Sequence, residues 1–251
     1  MRPIITLLTD FGTADGYVAE LKGVLLSIAP DASIVDLSHD IPPQDVECAR
    51  LAVARYWRRF PAGTVHVVVV DPGVGTTRAP LAVESDDRYL VGPDNGVLSP
   101  SFLAGGARVV ALPVPIAASA TFHGRDVFAP AAASLALGTP IDSLGALFQD
   151  PVIRRTPEAR RGAGGEVIGE VIAIDRFGNA ITNLIAPRGG RVEVCGRTVS
   201  IGRTYGDAAS GDVIAVIGSS GFVEVAQRDG SAARALELAR GTPVTLRTSR
   251  A

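Results

Sequence analysis

The chain has one lysine, two cysteines, three asparagines and only 5% aromatic residues among its 251. Arginine is abundant where lysine is scarce, so this scarcity reads as compositional bias, with heat adaptation as a second source. Cys48 and Cys195 stand far apart without metal-ligand spacing. They predict two reduced, mostly buried thiols and no disulfide. No two of the histidines His39, His66 and His123 fall at i, i+4 or inside a short carboxylate signature, so no dedicated metal site is expected. There is no G-x-G-x-x-G fingerprint and no Walker motif, which argues against a nucleotide-binding Rossmann enzyme of the usual kind. No apolar run is long enough to span a bilayer. A net charge of −2 supplies no long-range attraction for nucleic acid or anionic lipid, and neither is expected as a partner. The stretch Met1–Asp10 reaches a charge too soon for a signal peptide, so a cytoplasmic location is expected.

What is present is the composition of a globular protein, 47% hydrophobic and 20% charged. Strand-like runs (4–9, 33–37, 65–70) alternate with helix-like ones (15–29, 45–60, 127–137), and short strand-like runs fill 81–84, 89–91 and 108–112. That βαβ rhythm predicts an α/β fold, a Rossmann-like largely parallel sheet with helices on both faces. The pattern then changes. Seven short β-like runs between 167 and 247, separated by turn residues, predict a smaller antiparallel barrel or sandwich. The expected boundaries are an N-terminal domain 1–158, a linker 159–165 and a C-terminal domain 166–251.

The most informative stretch is Asp71-Pro72-Gly73-Val74-Gly75-Thr76-Thr77-Arg78, which follows the apolar run Val65–Val70. A buried strand thus ends on a carboxylate, enters a glycine-rich turn and reaches an arginine. Ligands in open α/β sheets sit at the carboxyl ends of strands. Phe122-His123-Gly124-Arg125-Asp126 lies at another loop-to-helix junction, so Asp71, Arg78 and His123 can surround one small polar cavity. Asp10 closes the first strand and suits either a ribose diol or a helix cap. Ser38–Asp45 follows the second strand and reads chiefly as a rigid loop with Asp45 as N-cap. His66, inside the valine-rich strand, reads as a core histidine. Asp175–Asn183 reads as an Asx-type hairpin turn, with Phe177 and Asn179 as the alternative purine contacts. Ile217–Phe222 reads as a serine-glycine hairpin that can also bind a carboxylate or base edge.

Thr9-Asp10-Phe11-Gly12, His39-Asp40-Ile41, Asp71-Pro72-Gly73-Val74-Gly75, Gly92-Pro93-Asp94-Asn95-Gly96, Phe122–Asp126 and Phe177-Gly178-Asn179 occur in one order. In that order they resemble the S-adenosylmethionine hydroxide adenosyltransferases, or SAM hydrolases, which are related to fluorinases and chlorinases. The resemblance implies a C-terminal β-barrel. It also implies a homotrimer that binds its ligand between the N-terminal domain of one subunit and the C-terminal domain of a neighbour. It places the water-activating set on Asp71, Arg78 and His123, the ribose contact on Asp10, and further substrate contacts on Phe122, Phe177, Asn179 and Ser219. S-adenosyl-L-methionine would be substrate and not cofactor, with adenosine and L-methionine as products. In the halogenase pattern a tyrosine stands in place of Asp71 and an arginine in place of Ser220. A carboxylate repels a bare halide in a partly dehydrated pocket, so a hydrolase is expected. A halide-dependent adenosyltransferase and a non-catalytic adenosine or SAM sensor are the alternatives.

Overall fold

The computed structural model describes residues 2–186 and 189–247. These divide between Arg155 and Thr156 into two compact units. The segment 159–165 carries a two-residue strand, described with the second unit below.

The first unit runs β1 (Ile4–Thr9), α1 (Tyr17–Ile28), β2 (Ser33–Ser38), α2 (Val46–Tyr56), β3 (Val65–Val69), β4 (Pro80–Ser85), β5 (Arg88–Pro93), α3 (Ser99–Phe102), β6 (Arg108–Ala111), α4 (Ala129–Ala136) and β7 (Ala146–Leu147). All seven strands form one sheet in the order β2-β1-β3-β5-β4-β6-β7. Every residue of β3 is buried, as a β-branched run covered on both faces requires. Alternate residues face opposite layers. Ile5, Leu7, Val65 and Val67 pack with Leu21 and Leu25 of α1 and Ala132 of α4. Leu8, Val68 and Val70 pack with Val46, Ala49 and Val53 of α2. Each buried Ile, Leu or Val among them contributes roughly 1.5–3 kcal/mol relative to exposure. Asp45 caps α2, accepting from the Cys48 N–H at 2.9 Å.

The pairings β1–β2, β1–β3 and β3–β5 are parallel, as expected. β4 pairs antiparallel with both β5 and β6, and β7 continues antiparallel from β6. The reason is local. Asp86 and Asp87 adopt φ of 52° and 57°, the left-handed pair of a tight hairpin turn, leaving no room for a crossover helix. β1 lies between β2 and β3, so the chain reverses its direction of travel across the sheet there. The carboxyl ends of β1 and β3 flank the topological switch point, where open α/β sheets hold ligands.

The second unit runs β8 (Arg160–Arg161), β9 (Val167–Ile174), β10 (Ala180–Thr182), β11 (Arg191–Val194), β12 (Arg197–Gly202), β13 (Val213–Ile217), β14 (Val223–Gln227), α5 (Ala232–Ala235) and β15 (Pro243–Arg247). The order β10-β14-β13-β12-β11-β15-β9, with β9 pairing back to β10, closes a seven-stranded barrel. β8 adds to it outside the ring, through β9. One pairing, β12–β13, is parallel; the others in the ring are antiparallel. Val171, Leu184, Val192, Val199, Val225 and Leu246 fill its core. Cys195 is exposed in the β11–β12 turn at φ 47°, which corrects the expectation of a mostly buried thiol. A tight turn between two strands left the side chain no core to enter. Cys48 is half-buried on α2. No helix among the described residues is long and apolar enough to cross a membrane.

His66 is the core histidine its strand predicted. Its Nε2 lies 3.0 Å from the Trp57 carbonyl, which can only accept, so Nε2 carries the proton. Nδ1 accepts from the Thr6 hydroxyl at 2.7 Å. Burial, with a smaller contribution from Arg88, pushes its pKa down to about 4, against the Trp57 hydrogen bond. The unfolded chain therefore takes up this proton at a higher pH than the folded one. Stability from this group is complete above about pH 6.5 and declines as pH falls toward the folded value, by on the order of 3 kcal/mol in all. An NMR titration of the histidine rings is expected to hold the His66 signals constant from about pH 8 to about pH 5. A His66 midpoint near its unperturbed value would contradict the burial account.

Candidate active site

Asp71 follows β3 and begins the glycine-rich loop. The loop folds on itself: the Val74 N–H donates to the Asp71 carbonyl at 3.3 Å, and the Thr76 hydroxyl to the Gly73 carbonyl at 2.7 Å. Gly75 has φ 76°, and a Cβ there would stand 2.3 Å from the Ala120 carbonyl oxygen. Glycine is required because this loop runs directly against the segment that leads to His123. The turn brings Arg78 back onto Asp71. Nε donates to Asp71 Oδ1 at 3.0 Å and Nη2 donates to Oδ2. Both side chains are nearly buried, 9% and 5% exposed, so losing either partner strands a charge. The guanidinium also lies over the Phe128 ring, 5.4 Å from its centroid.

Arg78 Nη2 makes a second contact, 3.0 Å from His123 Nδ1. A guanidinium has no acceptor, so Nδ1 must accept and the proton sits on Nε2. The tautomer of His123, open in the sequence, is set by this neighbour. Burial and the Arg78 charge hold the His123 pKa below its ordinary value, against the opposing pull of Asp71 and Asp126. The imidazole is neutral at pH 7. His123 stands at the start of a π-helical turn, Gly124–Phe128, that leads into α4. Such turns are frequent at functional sites. This one supplies both His123 at its start and Phe128 at its end.

Asp71 and His123 line a cavity of ≈ 300 Å³ together with Asp10, Gln44 and Phe122. That size is at the lower end for small-molecule sites. Asp10 does not cap α1, whose N-cap is Gly16. Its Oδ2 instead accepts from the Gln44 backbone N–H at 2.7 Å. Phe122 meets Phe11 and Tyr17 edge-on, with ring centroids 5.7 and 5.3 Å away. Arg125 covers Phe122 from 5.1 Å and is itself bound by Asp126 and Glu20. Asp10, Asp71, Phe122 and His123 thus gather around one cavity, with Arg78 joining two of them through hydrogen bonds.

Phe177, Asn179 and Ser219 lie on turns of the barrel. Phe177 is 76% exposed. Asn179 is buried, and its Nδ2 donates to Asp175 Oδ2 at 2.9 Å. The Asp175 Oδ1 accepts from the N–H groups of Phe177 and Asn179, each at 2.9 Å, which is the Asx-type turn anticipated. Ser219 is exposed in the β13–β14 turn. The register Ala180↔Val225, Ile181↔Glu224 brings the two turns into the β10–β14 ladder from opposite ends.

Three residues at or beside the cavity carried no individual signal. Gln44 acts through its backbone N–H, which any residue type could supply. Phe128 falls inside the expected helix 127–137 with nothing to single it out. Asn95 donates to the Val70 carbonyl at 2.9 Å and accepts from the Val97 N–H at 3.1 Å, pinning the chain one residue before Asp71. Rarity was the available clue. Each of the three asparagines holds backbone or an Asx turn in place, Asn183 by accepting from the Glu170 N–H and donating to the Pro157 carbonyl, both at 2.8 Å.

Residues 5–145 match the SAM hydroxide adenosyltransferase N-terminal domain, and residues 169–245 the C-terminal domain. The chain is 47% identical to the (R)-S-adenosyl-L-methionine hydrolase of Thermus thermophilus, over 98% of this chain and 100% of that one. It is 29% identical to the fluorinase of Actinopolyspora mzabensis, over 99% and 98% of the two chains. The crystal structure of a conserved protein from Thermotoga maritima superposes with a TM-score of 0.88 at 32% identity, covering 97% of this chain and 100% of that one. The chain belongs to the SAM hydroxide adenosyltransferase family.

Proposed function

We propose that this protein hydrolyses (R)-S-adenosyl-L-methionine to adenosine and L-methionine. The observation that carries the reading is the Asp71–Arg78–His123 hydrogen-bonded set, two of whose members face a cavity that also presents Asp10. The Thermus thermophilus relative bears the name of that activity. Water oxygen attacks C5′, the C5′–S electron pair returns to sulfur, and the sulfonium becomes the neutral thioether of methionine. The released proton passes through Asp71 to solvent. The sulfonium leaves without protonation, so the chemical difficulty lies in the nucleophile, since bulk water has a pKa of roughly 15.7. Asp71 accepts a hydrogen bond from the attacking water. Arg78 holds that carboxylate in one orientation through two bonds. His123 offers its Nε2–H as a donor that orients the water oxygen. Asp10 takes the ribose hydroxyls, which aligns C5′, and alignment of this kind supplies several kcal/mol. Phe122 packs against the nucleoside.

Asp71→Ala is expected to lower kcat by roughly a hundredfold or more, the usual range for a lost general base. Product chromatography in halide-free buffer measures that loss, and calorimetry with adenosine is expected to show ligand affinity largely intact. Unchanged turnover, or 5′-halo-5′-deoxyadenosine formed on adding chloride or fluoride, would overturn the assignment. Protonation of His123 would put a hydrogen on Nδ1, against the Arg78 guanidinium. The acid limb of kcat/KM is therefore expected below the ordinary histidine pKa of about 6.5, with a flat profile above it. A limb centred above that value would be inconsistent with a neutral imidazole. The reading extends to a homotrimer in which Phe177, Asn179 and Ser219 reach substrate from a neighbouring subunit. The exposure of Phe177 supports this. Sedimentation equilibrium should return three times the 25.9 kDa chain mass, and a monomer mass would refute it.

A further inference from the structure

A chain of polar side-chain contacts runs beside Asp10. Thr9 Oγ1 lies 2.8 Å from His39 Nδ1. His39 Nε2 lies 3.1 Å from Asp36 Oδ1. Asp36 Oδ2 is held by Lys22, the only lysine of the chain, at 2.5 Å. Thr9 is 1% exposed and His39 is 6% exposed. The imidazole proton belongs on Nε2, facing the carboxylate, so Nδ1 accepts from the Thr9 hydroxyl. That fixes the hydroxyl hydrogen and leaves an oxygen lone pair for the Phe11 N–H, which donates to it at 3.3 Å. One residue on, the Gly12 N–H donates to the His39 carbonyl at 2.8 Å. The backbone is thus held on both sides of Asp10, before it by the Thr9 side chain and after it by Phe11 and Gly12. The same loop supplies the Gln44 N–H to the Asp10 carboxylate, from a residue at φ 65°. A non-glycine residue in that conformation persists only where its surroundings over-determine it. Through these contacts helix α1, strand β2 and the loop into α2 are tied to the backbone that flanks Asp10.

We propose that His39 is a positioning residue for substrate: through Thr9 it fixes the Asp10 carboxylate in the orientation that receives the ribose hydroxyls. This rests on the reading of Asp10 given above. The prediction concerns selectivity for the ribose diol, which a merely structural histidine would not affect. Calorimetry with adenosine and with 2′,3′-dideoxyadenosine tests it on the intact protein. The wild-type protein is expected to prefer adenosine by roughly tenfold or more, the worth of a charge-assisted hydrogen bond. His39→Ala is expected to shrink that preference to roughly threefold or less by weakening adenosine alone. Thr9→Val breaks the same link with the imidazole retained, and carries the test if His39→Ala does not fold. His39→Asn, whose amide oxygen can accept from Thr9, is expected to keep most of the preference. Equal weakening of both ligands in His39→Ala and Thr9→Val, or an undiminished preference in them, would overturn the positioning role while leaving the ribose contact intact. A wild-type protein that binds the two nucleosides equally would overturn the ribose assignment of Asp10 and the positioning role with it.

Discussion

One guanidinium organises the cavity. Arg78 donates to Asp71 through two nitrogens and to His123 through one of the same nitrogens. That single group sets the orientation of the carboxylate and the tautomer of the imidazole, and it adds to burial in lowering the imidazole's affinity for a proton. The fold builds it from three pieces. Strand β3 delivers Asp71, the glycine loop turns the chain back so that Arg78 meets it, and the π-helical turn brings His123 and Phe128 to its other faces. Gly75 is the narrow point of this construction, because the loop and the 119–121 segment touch there.

In the proposed reaction the two strand ends at the switch point divide the labour. The β3 side carries the groups suited to handling water. The β1 side carries Asp10, and a separate network of Thr9, His39, Asp36 and Lys22 reaches the backbone beside it. Neither network shares a residue with the other. A defect on one side is thus expected to change chemistry and on the other to change recognition. The aromatic trio of Phe11, Tyr17 and Phe122 joins the two sides, since Phe11 follows Asp10 and Phe122 precedes His123. At Asp71, one of the two positions at which the chain departs from the halogenase pattern, a nearly buried carboxylate favours a hydrogen-bond donor and opposes a desolvated anion.

Much of this was legible in the sequence, for reasons that differ by element. β3 announced itself because a run of β-branched residues covered on both faces has no polar face to hide. The barrel strands were visible through their regular turns. That Asp71 and Arg78 gather at one cavity follows from a glycine-rich turn between them after a strand end. The antiparallel half of the sheet was hidden because Asp86-Asp87 gives no glycine or asparagine signal, although both residues adopt left-handed φ. The π-helical turn was read as ordinary loop and helix, since nothing in Gly124–Phe128 distinguishes the extra residue. Gln44 was invisible because its contribution is a backbone N–H in a strained conformation. Asn95 and His39 carry no role legible from their motifs, because their partners are a carbonyl and a hydroxyl far away in sequence.

The claim that water held at Asp71 is the group transferred to C5′ is tested most directly by turnover in water carrying a heavy oxygen isotope, with mass spectrometry of both products. The account predicts one heavy oxygen in adenosine, at the 5′ position, and none in methionine. Adenosine without the label would contradict it.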